Sequence, residues 1–241
     1  GPSACLTPAR YGREDWNMVA YTTELPLRSE LDAAHAEAMA HFSNPGTWWT
    51  GSERLAMVDE VRRARTFKQL PPWQVPVKQV SSIDGAHTLP AAAVDAVWRL
   101  TNHPGTLTSD WYQSIAERGL QPLAYVELVS LVSQANCVDR FADALCLERM
   151  PLPEPIAGEP SREVPEGVEV RLHWVPTDDV GGPNVWRALS GVPAELAARS
   201  RLSTPHYLEG KAVFGDVVSD RFSLQRVQIE LIAGRTSKLN E

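Results

Sequence analysis

The chain has 241 residues, with 23 Lys and Arg against 30 Asp and Glu, a formal charge of −7. Its 43% hydrophobic and 22% charged residues suit a globular protein with a buried core; the acidic balance argues against general nucleic-acid binding, and no apolar run nears the roughly 20 residues of a membrane span. Three cysteines, Cys5, Cys137 and Cys146, are too few for a disulfide framework, so a reducing, cytoplasmic setting is expected.

Gly1-Pro2-Ser3 reads as the remnant of a cleaved tag, and Arg10, Arg13, Glu14 and Asp15 stand where a secretory signal would need apolar residues. Ser29 is the predicted N-cap of an alanine-rich helix over Glu30 to Phe42, stopped by Asn44-Pro45-Gly46. Leu55, Met57, Val58 and Val61 repeat at helical spacing after Thr50, and Arg62, Arg63 and Arg65 suit the negative end of that helix. Pro71-Pro72 ends or kinks it, and a loop over residues 71–88 leads to a helix over Pro90 to Thr101. A turn at Asn102 to Gly105 precedes a short helix over Ser109 to Arg118, closed by Gly119. The longest apolar face belongs to a helix over Pro122 to Leu147.

Five prolines between Met150 and Pro165 exclude helix and central strand, leaving an extended strap. Val168 to Val175 alternates like a short strand. Helices are predicted over Asn184 to Leu189, Pro193 to Ser200, Tyr207 to Val217 and Ser223 to Leu239, the last with Leu224, Val227, Ile229, Leu231 and Ile232 as apolar surface. The expected class is all-α.

Signatures of nucleotide binding, a serine-nucleophile elbow, His-Glu-x-x-His and paired Cys-x-x-Cys are missing, so neither a cofactor nor a metal is predicted. His35 and His41 fall on different faces of one helix, and Glu37 with His41 reads as solvated charge. His103 reads as a turn residue. Cys137 and Cys146, about 13 Å apart along one helix, are beyond disulfide reach and read as small buried hydrophobes. Asn136, Arg140 and Asp143 are spaced for a local hydrogen-bonded network. Glu230, between Ile229 and Leu231, is a carboxylate beside apolar surface, the setting of a proton shuttle, although spacing alone favours a solvated face.

Two segments carry a family resemblance. The run from Gly119 to Leu145 (GLQPLAYVELVSLVSQANCVDRFADAL) resembles the long helix of alkylhydroperoxidase-like proteins of the carboxymuconolactone decarboxylase superfamily. The run from Leu224 to Glu241 (LQRVQIELIAGRTSKLNE) is similar to the helix that enters that family's Cys-x-x-Cys-x-x-x-His motif, whose first cysteine would fall one residue after Glu241. The family's relay glutamate stands twelve residues before that cysteine, at Glu230. The run from Thr50 to Arg65 (TGSERLAMVDEVRRAR) resembles a second, degenerate copy, with Phe67 and Leu70 at the cysteine positions, Gln74 at the histidine and Leu55 at the glutamate.

The resemblance implies two helical repeats: a degenerate one in residues 1–150, a proline-rich linker over 151–183 and a second repeat over 184–241. It implies peroxidase-type, antioxidant oxidoreductase chemistry on a small-molecule substrate, with Glu230 as proton relay and the thiols supplied from beyond this chain by a companion chain or through homo-oligomer assembly. Two other readings stay open: a cofactor-free lyase or isomerase of the decarboxylase type, using Glu230 and a histidine such as His206, and a non-catalytic scaffold. Whether the chain alone is an enzyme stays open with them.

Overall fold

The computed structural model describes residues 21–66, 87–178, 181–207 and 223–239. Eight α-helices lie within them: α1 (Ser29–Ser43), α2 (Gly51–Thr66), α3 (Ala91–Asn102), α4 (Ser109–Glu117), α5 (Pro122–Ala144), α6 (Asn184–Arg187), α7 (Pro193–Ser203) and α8 (Arg226–Leu239), with a 3-10 turn at Pro104–Thr106. The protein is all-α, as its sequence patterns predict. Pro71-Pro72, Phe67, Leu70, Gln74 and nearly all of the helix predicted over Tyr207 to Val217 lie outside the described residues.

Local chemistry sets the helix ends. Thr50 and Glu53 form a reciprocal cap at the start of α2: Thr50 Oγ1 accepts from the Glu53 amide at 3.3 Å, and Glu53 Oε2 accepts from the Thr50 amide at 2.9 Å. Ser29 does not cap α1; the boundary residue is Arg28, which offers no side-chain cap, and Ser29 is already helical. Thr108 caps α4 by accepting from the Trp111 amide at 3.2 Å, and Gly119, at φ +93°, closes the turn after it. The helix predicted to reach Leu147 stops at Ala144.

Helices α2, α3 and α5 pack on one another, and α1 and α7 complete the bundle. Val58, Val61, Ala93, Val97, Leu128 and Leu131 form the core, joined by Phe42 from α1 and Leu202 from α7. Each fully buried Val, Leu or Phe contributes about 1.5–3 kcal/mol against exposure. A smaller cluster of Leu123, Val126, Leu189 and Val192 seats the turn before α7 on α5.

The proline-rich strap forms neither helix nor strand and is tied down. The Ile156 amide donates to Ser43 O at 2.8 Å, the Ser161 amide to Gly46 O at 3.1 Å, and the Arg162 amide to Thr47 O at 2.9 Å. The Arg162 guanidinium also lies 5.3 Å from the Trp48 ring centroid.

Two expectations are corrected. Val168 to Val175 is not a strand: a single antiparallel bridge joins Glu169 to Thr177, because so short a stretch has no sheet to extend. The terminal helix buries none of its residues, and Val227 and Leu231 are 78% and 73% exposed. At 100° per residue, its apolar positions at 227, 229, 231 and 232 spread over more than about half the circumference, so they make no single stripe for a core to cover.

Candidate thiol and acid–base site

Four side chains from separate segments converge beside α1 and α5. On α1, Ala38 and Phe42 turn inward on the same face as His35, which is buried to full exclusion of solvent. The His35 Nδ1 atom lies 2.8 Å from Tyr21 Oη, and its Nε2 lies 2.7 Å from His206 Nε2. The two imidazoles stack at 4.9 Å and 19°, with Phe141 edge-on to both. Cys137, one turn before Phe141 on α5, brings Sγ to 3.8 Å from His206 Nε2. Arg28 holds the His206 segment against α1 by donating from Nη2 to Pro205 O at 2.6 Å.

Burial keeps this group uncharged. It lowers His35 to about 4, with His206 adding to the effect, and lowers His206, with Arg28 adding. Burial raises the Cys137 thiol against the opposing pull of Arg199, and raises Tyr21, with Asp139 and Asp32 adding. For four neutral groups, two hydrogen arrangements give each a partner, and one of them leaves the His206 nitrogen an acceptor. Tyr21 O–H donates to His35 Nδ1, His35 Nε2–H donates to His206 Nε2, and the Cys137 S–H points at that same nitrogen. The His206 nitrogen, half-buried rather than sealed, is the basic atom of the cluster.

A second polar cluster lies deeper. Arg54 and Glu127 form a wholly buried ion pair, and Arg54 Nη1 donates to Glu195 Oε1 at 2.9 Å. His41 Nε2 is 2.8 Å from the same Glu195 oxygen, the Trp48 amide donates to Glu127 Oε2 at 2.7 Å, and Gln134 Nε2 donates to Glu195 Oε2 at 3.2 Å. Burial pushes Glu195 up, but His41 and Arg54 outweigh it and hold the carboxyl at about 2. Glu127 goes the other way: burial raises it, Arg54 opposes, and Glu195 adds to the rise. A Cβ on Gly46 would collide with the Glu127 carboxylate and the Arg54 guanidinium, so only glycine fits above this pair. Every charged member faces another protein group, which is the arrangement of a structural tie between helices.

Glu230 is exposed on α8, and its carboxylate bonds the phenol of Tyr207, the residue after His206. The remaining sequence candidates are dispersed. His35 and His41 part company as predicted, one to each cluster, and Glu37 pairs with Arg201 at 2.6 Å on the surface. The network expected of Asn136, Arg140 and Asp143 does not form: Asn136 donates to Val132 O at 3.0 Å, while Asp143 pairs with Arg65 and Arg149. Half-buried arginines within reach of Asp143 on α2 and beyond α5 win over a partner on its own helix. Cys146 is exposed rather than buried, because α5 ends before it. Leu55 is core. Among the described residues, no group of three or more His, Cys, Asp or Glu is arranged to hold a metal ion, and no helix is long and apolar enough to cross a membrane.

Tyr21, His35 and Cys137 were not legible as partners of His206. Cys137 and His206 are 69 positions apart, and neither lies in a motif of fixed spacing. The one local signal was a histidine at an inward position of an alanine-rich helix. No family model, curated protein or solved structure matches this chain.

Proposed function

We propose that the chain is a thiol-dependent oxidoreductase of peroxidase type, with Cys137 as the reacting thiol and His206 as its base. The observation that carries this reading is the 3.8 Å approach of Cys137 Sγ to His206 Nε2, itself 2.7 Å from His35 Nε2. The alkylhydroperoxidase-like resemblance of the Gly119 to Leu145 segment supplies peroxide as the substrate class; Cys137 lies within that segment. The expectation that all thiols come from beyond the chain is thereby narrowed to the resolving thiols.

The resting thiol is neutral, so it needs a base at the moment of attack. His206 Nε2 takes the S–H proton and becomes imidazolium, giving up the hydrogen bond it accepts from His35 Nε2–H at rest. The thiolate attacks the terminal oxygen of ROOH; the S–O bond forms, the O–O bond breaks, and His206 returns the proton to the departing alkoxide. Sulfur loses two electrons to the peroxide, giving Cys137 sulfenic acid and ROH. An external dithiol then displaces water from the sulfenic acid, and its second thiol releases Cys137 as the free thiol and leaves as a disulfide. Glu230, bonded to Tyr207 beside His206, is the proposed outer member of the proton relay. The exposed Val227 and Leu231, one turn apart on α8, support its assembly with a companion chain or a second copy.

The test uses a Cys5→Ser/Cys146→Ser background, treated with peroxide and a sulfenate-trapping dione. Label is expected at Cys137, with His206→Gln slowing labelling by about 10²–10⁴-fold. Absence of label at Cys137 overturns the proposal, and an unchanged rate in Glu230→Gln removes Glu230 from the relay. The burial-raised thiol favours one other reading, cofactor-free acid–base chemistry at His206, which predicts activity that survives Cys137→Ser.

A further inference from the structure

A cavity of ≈ 360 Å³ opens where the 172–175 segment and α6 cross α5. Tyr125, Val126 and Val129 of α5 form one wall, and His173, Trp174 and Leu189 face them. Val129 is eight residues from Cys137, about 12 Å along the helix, so this space is separate from the thiol cluster.

Two properties of the walls, and the volume they enclose, define what fits. Among the described residues, no Lys, Arg, Asp or Glu lines the cavity, so a buried ionic group on a ligand would go unpaired against them. Its aromatic side is flat and braced from behind: Tyr112 lies 5.3 Å from Tyr125 and stacks on Trp174 at 6.1 Å and 24°. The volume is at the small end of the range for ligand sites, too short for a long chain and sufficient for one or two rings.

We propose that this cavity binds an uncharged aromatic small molecule of one or two fused rings, held by its apolar and aromatic walls. Stacking on Trp174, which is 47% exposed in its absence, would cover the apolar mouth that Leu172 shares.

The neutral two-ring fluorophore 1-naphthylamine, titrated into the full chain, is the probe. One saturable site is expected, displaced by 2-naphthol at about tenfold lower concentration than by naphthalene-2-sulfonate. Ala188→Trp, at an exposed lining position, is expected to weaken the probe by about tenfold or more. Asn184→Trp, on the same rim, serves if circular dichroism finds the first variant misfolded. Leu25→Ser, at an exposed apolar position outside the cavity, is expected to change nothing. No saturation, undiminished binding in a filled-cavity variant, sulfonate competing as well as naphthol, or loss of binding in Leu25→Ser each overturns the proposal.

Discussion

At the scale of the residue, protonation state is set by burial and neighbours that the sequence does not display. His35 has a folded pKa of about 4 against a usual 6.5, so its neutral form is favoured on folding. Its contribution is fully present above pH 6.5 and lost as pH falls from 6.5 through 4, worth up to roughly 3 kcal/mol. Glu195, at about 2 against 4.5, loses its contribution lower, between pH 4.5 and 2. Urea unfolding from pH 7.5 to 4.5 is therefore expected to show a decline that His35→Gln flattens; an equally steep decline in that variant would sink the assignment. His41, one helix face away, was read as solvated and instead bonds a buried carboxylate. The spacing was right about the faces, but it held no information on what α7 brings to the second one.

At the scale of the element, most helices were legible because their causes are local. The Thr50 to Glu53 cap, Pro122 in the first turn of α5, and Gly119 at positive φ all act within a few residues. Thr50→Ala is expected to destabilise the protein by about 1 kcal/mol, with α2 amides near Glu53 losing hydrogen-exchange protection first. No change in unfolding midpoint would show that the cap contributes nothing. Where local signals failed, partners decided: the alternation at Val168 to Val175 had no neighbouring strand, and the apolar residues of α8 point around the helix rather than to one side.

At the scale of the whole molecule, the buried ion cluster joins four helices: His41 of α1, Arg54 of α2, Glu127 and Gln134 of α5, and Glu195 of α7. Arg54→Ala leaves two buried carboxylates without their cation and is expected to cost about 3–5 kcal/mol in denaturant unfolding, since desolvation is no longer offset. A loss below about 1 kcal/mol would mean that water or His41 replaces the guanidinium. In sequence, Arg54 and Glu127 are polar residues on amphipathic helices, and such residues are far more often solvated than buried. Residues 73 positions apart reveal their pairing only when α2 and α5 are docked, with Gly46 small enough to let them meet.

The sequence alone determined the all-α class, the main helix boundaries and the absence of helix from the proline-rich strap, because helical periodicity, caps and proline geometry act over a few residues. Tertiary structure decided which polar side chains were buried, which charges met and which sulfur found an imidazole. Those outcomes depend on desolvation and on distances between segments far apart in the chain, neither of which a local pattern of residues encodes.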